Sequence, residues 1–368
     1  MRNLYRKIRE YVPLIPFIVF ITSIFSLICY ILVLTSVKFA DFFNLYLTFP
    51  VRKILAQATS IVPFSITETL LFASPLLITI VFIRGIKNAK ISLKDTIRFF
   101  TKLLSVVLFV FITFVWTYSS GFHNSTIDKK LGLETKELSA EELYDASLII
   151  IDNLNALSKE IIYDNTGASV MPYGYYTLSA KICDAYDTYE ENYGAIINFN
   201  SIVKPIILSG PMTYTHISGI YTFYTGESNI NTNYPDFVVA SSATHEMAHQ
   251  RGVARENECN FIAFVVMTES NDNFLKYSAY LDVYSNITGA LYSADKDLYL
   301  KAVSTLDEKV RGDLESYSNF FDKYRDSVAS EVTGNLNDSY LQANGQKDGT
   351  KSYGMIVDLT VAYLKSKH

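Results

Sequence analysis

The chain has 368 residues, 49% of them hydrophobic, and carries 32 Lys+Arg against 37 Asp+Glu for a net charge of −5. That charge is split unevenly: residues 1–118 hold 13 Lys+Arg and four Asp+Glu, a net of +9, which leaves −14 on the remainder. The length allows two domains, and so acidic a second one excludes nucleic acid as a partner, because phosphate binding needs a basic face.

Nearly all long apolar runs precede residue 119, and three reach the length of about 20 residues that a membrane helix needs. They cover about 11–37, 61–83 and 99–118. The first has no charge and has prolines only near its start, Pro13 and Pro16. It is too long for a cleaved signal peptide and reads as a retained membrane helix. The second contains Glu68, near one end, where a long acidic side chain can snorkel to the interface. The third is interrupted by Lys102 near its start and ends with Trp116 and Tyr118, residues suited to a membrane interface.

Orientation follows from the basic residues, since Lys and Arg of short loops stay on the cytoplasmic side. Arg2, Arg6, Lys7 and Arg9 precede the first run, and Arg84, Lys87, Lys90, Lys94, Arg98 and Lys102 surround the junction of the second and third. Only Lys38, Arg52 and Lys53 lie between the first and second. The spacing therefore predicts a multi-pass protein with a cytoplasmic amino terminus, a membrane domain over 1–118 and an extracytoplasmic domain over 119–368. Cys29 falls in the first run, which leaves Cys183 and Cys259 in the second domain. Two cysteines make no disulfide framework; they either pair or stay as buried thiols.

The second domain reads as mostly helical with short extended pieces. Ser139-Ala140-Glu141-Glu142 is a capping box that opens a helix to about Tyr163, with Leu143, Ala146, Ile150 and Leu154 at helical spacing. Tyr173–Tyr193 is tyrosine-rich and helical in its second half. Ile202–Leu208 and Gly219–Thr225 are β-branched or aromatic and bounded by Gly, Pro and Ser, as strands are. The edge of Tyr221–Thr225 could take a peptide by strand addition. Gly226–Asn231 reads as a turn-rich loop, and a helix follows from Ala240 to about Gln250.

That last helix carries Thr244-His245-Glu246-Met247-Ala248-His249-Gln250-Arg251-Gly252, an HExxH pattern in a chain with five histidines. Residues four apart share a helix face, so His245 and His249 can both direct an imidazole nitrogen at one Zn²⁺. Glu246, one step round, reaches a metal-bound water and is the expected general base for attack on a carbonyl. An open catalytic zinc site needs a third protein ligand. Arg255 stands where a metzincin would carry its third histidine, so that subclass is disfavoured. The candidates are Glu256 and Glu258, at the start of a second helix running towards Met267. One continuous helix would put Glu256 about 10 Å along the axis from His249; a turn at Gly252 removes that obstacle. Asn260, one helical turn after Glu256, could bond a ligand histidine and so favours Glu256. Glu258 has Ile262 in the matching place, although it sits deeper in the helix, where it could be better ordered.

The sequence His245-Glu246-x-x-His249 followed by Glu256-x-x-x-Asn260 resembles a compressed form of the gluzincin metallopeptidases, such as thermolysin and the membrane metalloproteases of the HtpX and CAAX-protease type. In these a glutamate on a second helix is the third ligand, and a residue four later, usually Asp, supports a histidine. Here the gap is shorter and Asn260 stands for the Asp. The whole chain also resembles an uncharacterised bacterial membrane family, the domain of unknown function 3810 family. That likeness rests on Gly226–Asn231, His245–Phe261, Ser339–Gln346 and Gly349–Gly354. It implies a few amino-terminal membrane helices ahead of an HExxH domain. The fold expected is mainly α with a small β component (α+β): transmembrane helices, then a zincin-like extracytoplasmic domain.

The leading expectation for function is a membrane-anchored zinc metallopeptidase that hydrolyses an amide bond of an envelope or extracellular protein or peptide, with the lipid bilayer as its other partner. The alternative is a noncatalytic membrane sensor or assembly protein with a structural metal site. Glu246 separates them, because a structural site has no use for a carboxylate beside its first ligand. Tyr353 is a candidate for stabilising an oxyanion, and His216 for a donor on the substrate side, though a lone histidine beside strands is more often structural.

Overall fold

The computed structural model of the chain describes residues 9–89, 92–344 and 353–367. Three helices are long and apolar enough to cross a membrane: α1 (Leu14–Thr35), α4 (Ile66–Ala89) and α5 (Leu93–Thr117). Most of their large side chains are exposed, as expected of surfaces that lipid covers. The parallel course of α1 and α5 is fixed by two bonds: Arg98 Nε donates to Glu10 O at 3.0 Å and Trp116 Nε1 to Ser26 Oγ at 2.9 Å. Between α1 and α4 the chain forms α2 (Val37–Phe42), a π-helical segment (Phe43–Thr48) and α3 (Phe49–Ser60).

The second apolar run begins its helix five residues later than hydropathy suggests. Around Pro63, which has no amide hydrogen to donate, residues 61–65 form a turn. Lys204 Nζ donates to the carbonyls of Thr59, Val62 and Phe64 there. Glu68, in the first turn of α4, does not snorkel into water or headgroups. Its buried carboxylate accepts from the amides of Ile207 and Leu208 at 2.9 and 2.8 Å.

After α5 come α6 (Ile127–Leu131), α7 (Ala140–Leu157), a small β1–β2 hairpin (Ile162–Tyr163 and Ser169–Val170) and α8 (Tyr175–Tyr193). β3 (Val203–Pro205), α9 (Ser209–Thr213), β4 (Gly219–Thr222) and β5 (Glu227–Ile230) follow. The remaining helices are α10 (Asp236–Gln250), α11 (Glu256–Thr268), α12 (Asn273–Ala294), α13 (Lys296–Val303), α14 (Glu308–Asp322), α15 (Val328–Ala343) and α16 (Tyr353–Lys367). The chain is thus mostly helical with few strands. The capping box at Ser139 is present, with both reciprocal bonds formed. All three cysteines are free and buried, so Cys183 and Cys259 do not pair.

The three-stranded sheet has the order β3-β5-β4, with β3 parallel and β4 antiparallel to β5. Its central strand is the segment Gly226–Asn231 that reads as a loop in sequence. Glu227, Ser228 and Asn229 are polar yet fully buried, so neither alternation nor an apolar run marks them. Each finds a partner inside: Ser228 Oγ donates to Glu246 O, and Asn229 Nδ2 to Ile220 O. Glu227 accepts from the amides of Ile66 and Thr67 at 2.9 and 2.8 Å, so it caps the amino terminus of α4, while Lys204 lies 3.8 Å away. Conversely, β4 stops at Thr222, because residues 223–226 turn the chain into β5.

The main core is formed where α7, α8, α10, α11 and α12 pack, through Leu143, Ile150, Leu178, Val239, Met247, Phe261, Val265 and Ile287 among others. α10 is buried on nearly every side. A helix so enclosed gives its few polar groups fixed positions, which is the setting a precise site needs.

Glu227 is the junction between the helices before residue 118 and the sheet. Glu227→Ala should strand two buried amides, remove the counter-charge of Lys204 and lower stability by about 3–5 kcal/mol. Thermal unfolding of the detergent-purified chain will show this as a clear fall in Tm.

Candidate metal centre

The turn between α10 and α11 makes the site. Gly252 has φ 100°, a conformation that side chains resist, and a Cβ there would strike the guanidinium of Arg52. Arg52 comes from α3 and is buried, which pulls its pKa down to about 10. Its Nη2 donates to Arg251 O at 3.4 Å and Asn44 O at 3.1 Å. Its Nη1 donates to Asn44 Oδ1 at 2.8 Å, to Thr117 O at 3.4 Å and to Thr48 Oγ1. Asn44 Nδ2 in turn donates to Gly252 O at 3.1 Å. One guanidinium thus ties the carboxyl ends of α10 and α5 together, where the exposed carbonyls of each helix favour a cation.

The turn delivers Glu256, the first residue of α11, to the two histidines. His245 Nε2 and His249 Nε2 stand 3.1 Å apart, Glu256 Oε2 is 3.1 Å from the first and Glu256 Oε1 is 3.5 Å from the second. Three ligands on a tetrahedral ion with Zn–N of 2.0–2.1 Å are separated by about 3.3 Å. The triangle has that size.

The other ring nitrogens explain why these three atoms face one another. His249 Nδ1 lies 2.9 Å from Val253 O, an acceptor, so the Nδ1 proton is donated there and Nε2 keeps its lone pair. Tyr118 Oη at 3.1 Å and Cys259 Sγ at 3.2 Å complete the surroundings of that nitrogen. His245 Nδ1 is 2.7 Å from Asn260 Oδ1 on α11. Two ring nitrogens and a carboxylate converge, an arrangement that a bound cation would satisfy. Burial would raise the Glu256 pKa, but the His249 and His245 rings hold it well below the usual carboxylate range.

His245, His249 and Cys259 also present possible ligand atoms within 4.8 Å of one another. Cys259, however, meets His249 at the edge already occupied by Val253 O, and burial beside Glu256, Glu258 and Glu246 raises its thiol pKa well above normal. The atoms that fit an ion are the two Nε2 and Glu256.

Glu258 is turned away from the histidines. Its Oε1 accepts from Arg255 Nη1 at 2.9 Å and from the Ile127 amide at 3.2 Å, and burial raises its pKa despite Arg255. Arg251 does not pair with Glu256 either: it donates to Asn198 Oδ1 and Phe199 O and stacks over Tyr186. Glu246 is buried, which raises its pKa to about 8; His245 and the Tyr221 amide act against that rise, and Glu256 adds to it. A Cβ at Gly219 would lie 2.7 Å from Glu246 Oε1, so only glycine on β4 leaves this carboxylate its place.

His245, Glu246, Glu256 and Asn260 line a cleft of about 570 Å³ together with Gly219, Ser242, Asp282, Tyr317 and Leu341. His249 is 5% exposed at the back of the site, whereas Glu256 is 34% exposed, so the open face of the triangle looks into the cleft. His216 is also on the wall, with its ring tied by Nε2 to Tyr324 O at 2.8 Å. The side chain of Tyr353 lies outside the described residues. Asp282 carries no sequence signal, and Tyr118 reads only as an interfacial residue at the end of a membrane-length helix, with nothing to place it beside His249.

The class of protein these features define is a mostly helical chain that carries an HExxH pattern and three helices that can cross a membrane. The family model described as "Protein of unknown function (DUF3810)" matches residues 43–361, and the chain belongs to that family. No curated protein and no solved structure matches it.

If Glu256 completes the centre, Glu256→Gln should weaken divalent metal binding by far more than tenfold, Asn260→Leu by about 10–100-fold, and Glu258→Gln by little. Metal stoichiometry and competition with a chromogenic chelator on the full-length chain will separate the three.

Proposed function

We propose that the protein is a membrane-anchored zinc peptidase of the gluzincin type, acting on a protein or peptide outside the cytoplasm. The observation that carries this reading is the triangle of His245 Nε2, His249 Nε2 and Glu256 with a second, buried carboxylate beside it. Zinc held there would supply a Lewis acid for the scissile carbonyl and would acidify water. Glu246 then takes a proton from the attacking water onto its carboxylate and delivers it to the departing amide nitrogen. Glu246 lines the cleft beside His245, against Gly219, which leaves its carboxylate room to make both transfers.

Asn260 and Val253 O fix the rings of His245 and His249 by accepting their Nδ1 protons. β4, beside Glu246 on the cleft wall, offers a backbone along which an extended chain can lie. The basic residues at 84–102 support a location of the domain outside the cytoplasm. A noncatalytic metal site explains the histidines but leaves Glu246, buried against a glycine that makes room for it, without a purpose.

Glu246→Gln in the full-length protein should keep one zinc per chain and lower cleavage of a mixed peptide library by about 10²–10⁴-fold. Cleavage that survives this change undiminished would remove the peptidase reading.

A further inference from the structure

α15 forms part of the cleft wall and has two dissimilar sides. Asn337 and Leu341 face inward; Leu341 is 1% exposed and packs with Tyr118, Phe122, Tyr221 and Ala254. On the other side Val328, Val332, Leu336 and Tyr340 recur every four residues and are 75, 55, 67 and 38% exposed. That spacing keeps them on one stripe along the whole helix. Most of the other large exposed apolar residues belong to the membrane-length helices and the segment between α1 and α4.

The stripe is linked to the membrane-length helices through a chain of mostly buried rings. The Tyr340 ring stands 6.1 Å from Phe122, which follows the end of α5 and packs edge-on to Tyr118; Tyr118 meets Phe114 of α5. The sheet beside the cleft is tied to the same group of helices. Ile207 and Leu208 are exposed and held through their amides by Glu68 at the first turn of α4. Phe223, at the tip of the β4–β5 hairpin, packs on Phe114, and its carbonyl accepts from Thr117 Oγ1. The exposed Tyr224 is next to it. Two elements that line the cleft, α15 through Leu341 and β4 through Gly219, are therefore tied to the ends of membrane-length helices, and each has exposed apolar side chains nearby.

We propose that α15 lies in the lipid interface through Val328, Val332, Leu336 and Tyr340, so that the cleft opens at the bilayer surface and takes a polypeptide tethered to that bilayer, cut close to where it leaves the lipid. The substrate half of this inference rests on the peptidase reading; the lipid contact does not. With Glu331 and Asp338 as its charged residues, α15 would be held by apolar insertion and not by attraction to anionic headgroups.

The test uses the full-length chain in vesicles of phosphatidylethanolamine and phosphatidylglycerol. Spin labels at Val332→Cys, Leu336→Cys and Glu331→Cys are compared for collision with oxygen and with a water-soluble nickel chelate. Oxygen should dominate at the first two and nickel at the third. Free access of nickel to all three overturns the lipid contact, and so does exclusion of both reagents, which would mean that a second copy or another protein covers the stripe. In parallel, one randomised peptide library is offered free and attached to a lipid anchor. Anchored peptides should be cut at least tenfold faster, and V332E/L336E should abolish that preference while free peptides are cut as before. Equal cleavage of both libraries overturns the substrate class. If neither is cut, the peptidase reading falls and the substrate class falls with it, while the collision experiment still decides the lipid contact.

Discussion

A buried guanidinium decides where the chain turns between its two central helices. Arg52 holds Arg251 O and Thr117 O, and Asn44, which Arg52 also binds, holds Gly252 O. The turn at Gly252 is thereby fixed from outside the helices it joins. A shift of one residue in that turn would move Glu256 by about 100° around α11, away from His245 and His249. The arrangement of two ring nitrogens and a carboxylate at 3.1 to 3.5 Å thus depends on a cation more than 190 residues earlier in sequence.

Buried polar groups elsewhere follow the same logic. Glu227, Glu68 and Lys204 each satisfy backbone groups at the ends of α3, at the start of α4 or in the loop after β3. Charged groups removed from water are costly unless hydrogen-bonded, and here each is bonded across the boundary between the amino-terminal helices and the rest. The junction is consequently specific: it works only in one register, since each carboxylate must meet particular amides.

Much of the site could be read from spacing alone. Two histidines four apart, the glycine that permits a turn and Asn260 one turn after Glu256 are local patterns, and helices convert local patterns into geometry. The choice between Glu256 and Glu258 turns on partners distant in sequence: Arg255, Ile127 and the Nδ1 contacts of His249 come together only when the chain folds. The central strand was illegible for a related reason. Glu227-Ser228-Asn229 is buried by virtue of polar partners on α4, β4 and α10, and no hydrophobic periodicity records such a strand. Sequence points Glu68 to water, the obvious partner of a lone acid near the end of an apolar run, whereas the loop after β3 supplies two amides. Tyr118 reads from sequence as an interfacial anchor, and the structure adds a contact with His249 Nδ1.

The segment from Asn44 to Glu68 also bears on the autonomy of the larger domain. A fragment beginning at residue 119 would lack Arg52 behind the Gly252 turn, the amides that Glu227 caps and the carbonyls that receive Lys204. It would keep every residue of the HExxH helix and lose the frame that aligns it with α11. The domain is thus not a module carried on a detachable anchor. Any change that displaces Arg52 or Asn44 therefore acts on His245, His249 and Glu256 from a distance, through the turn that joins their two helices.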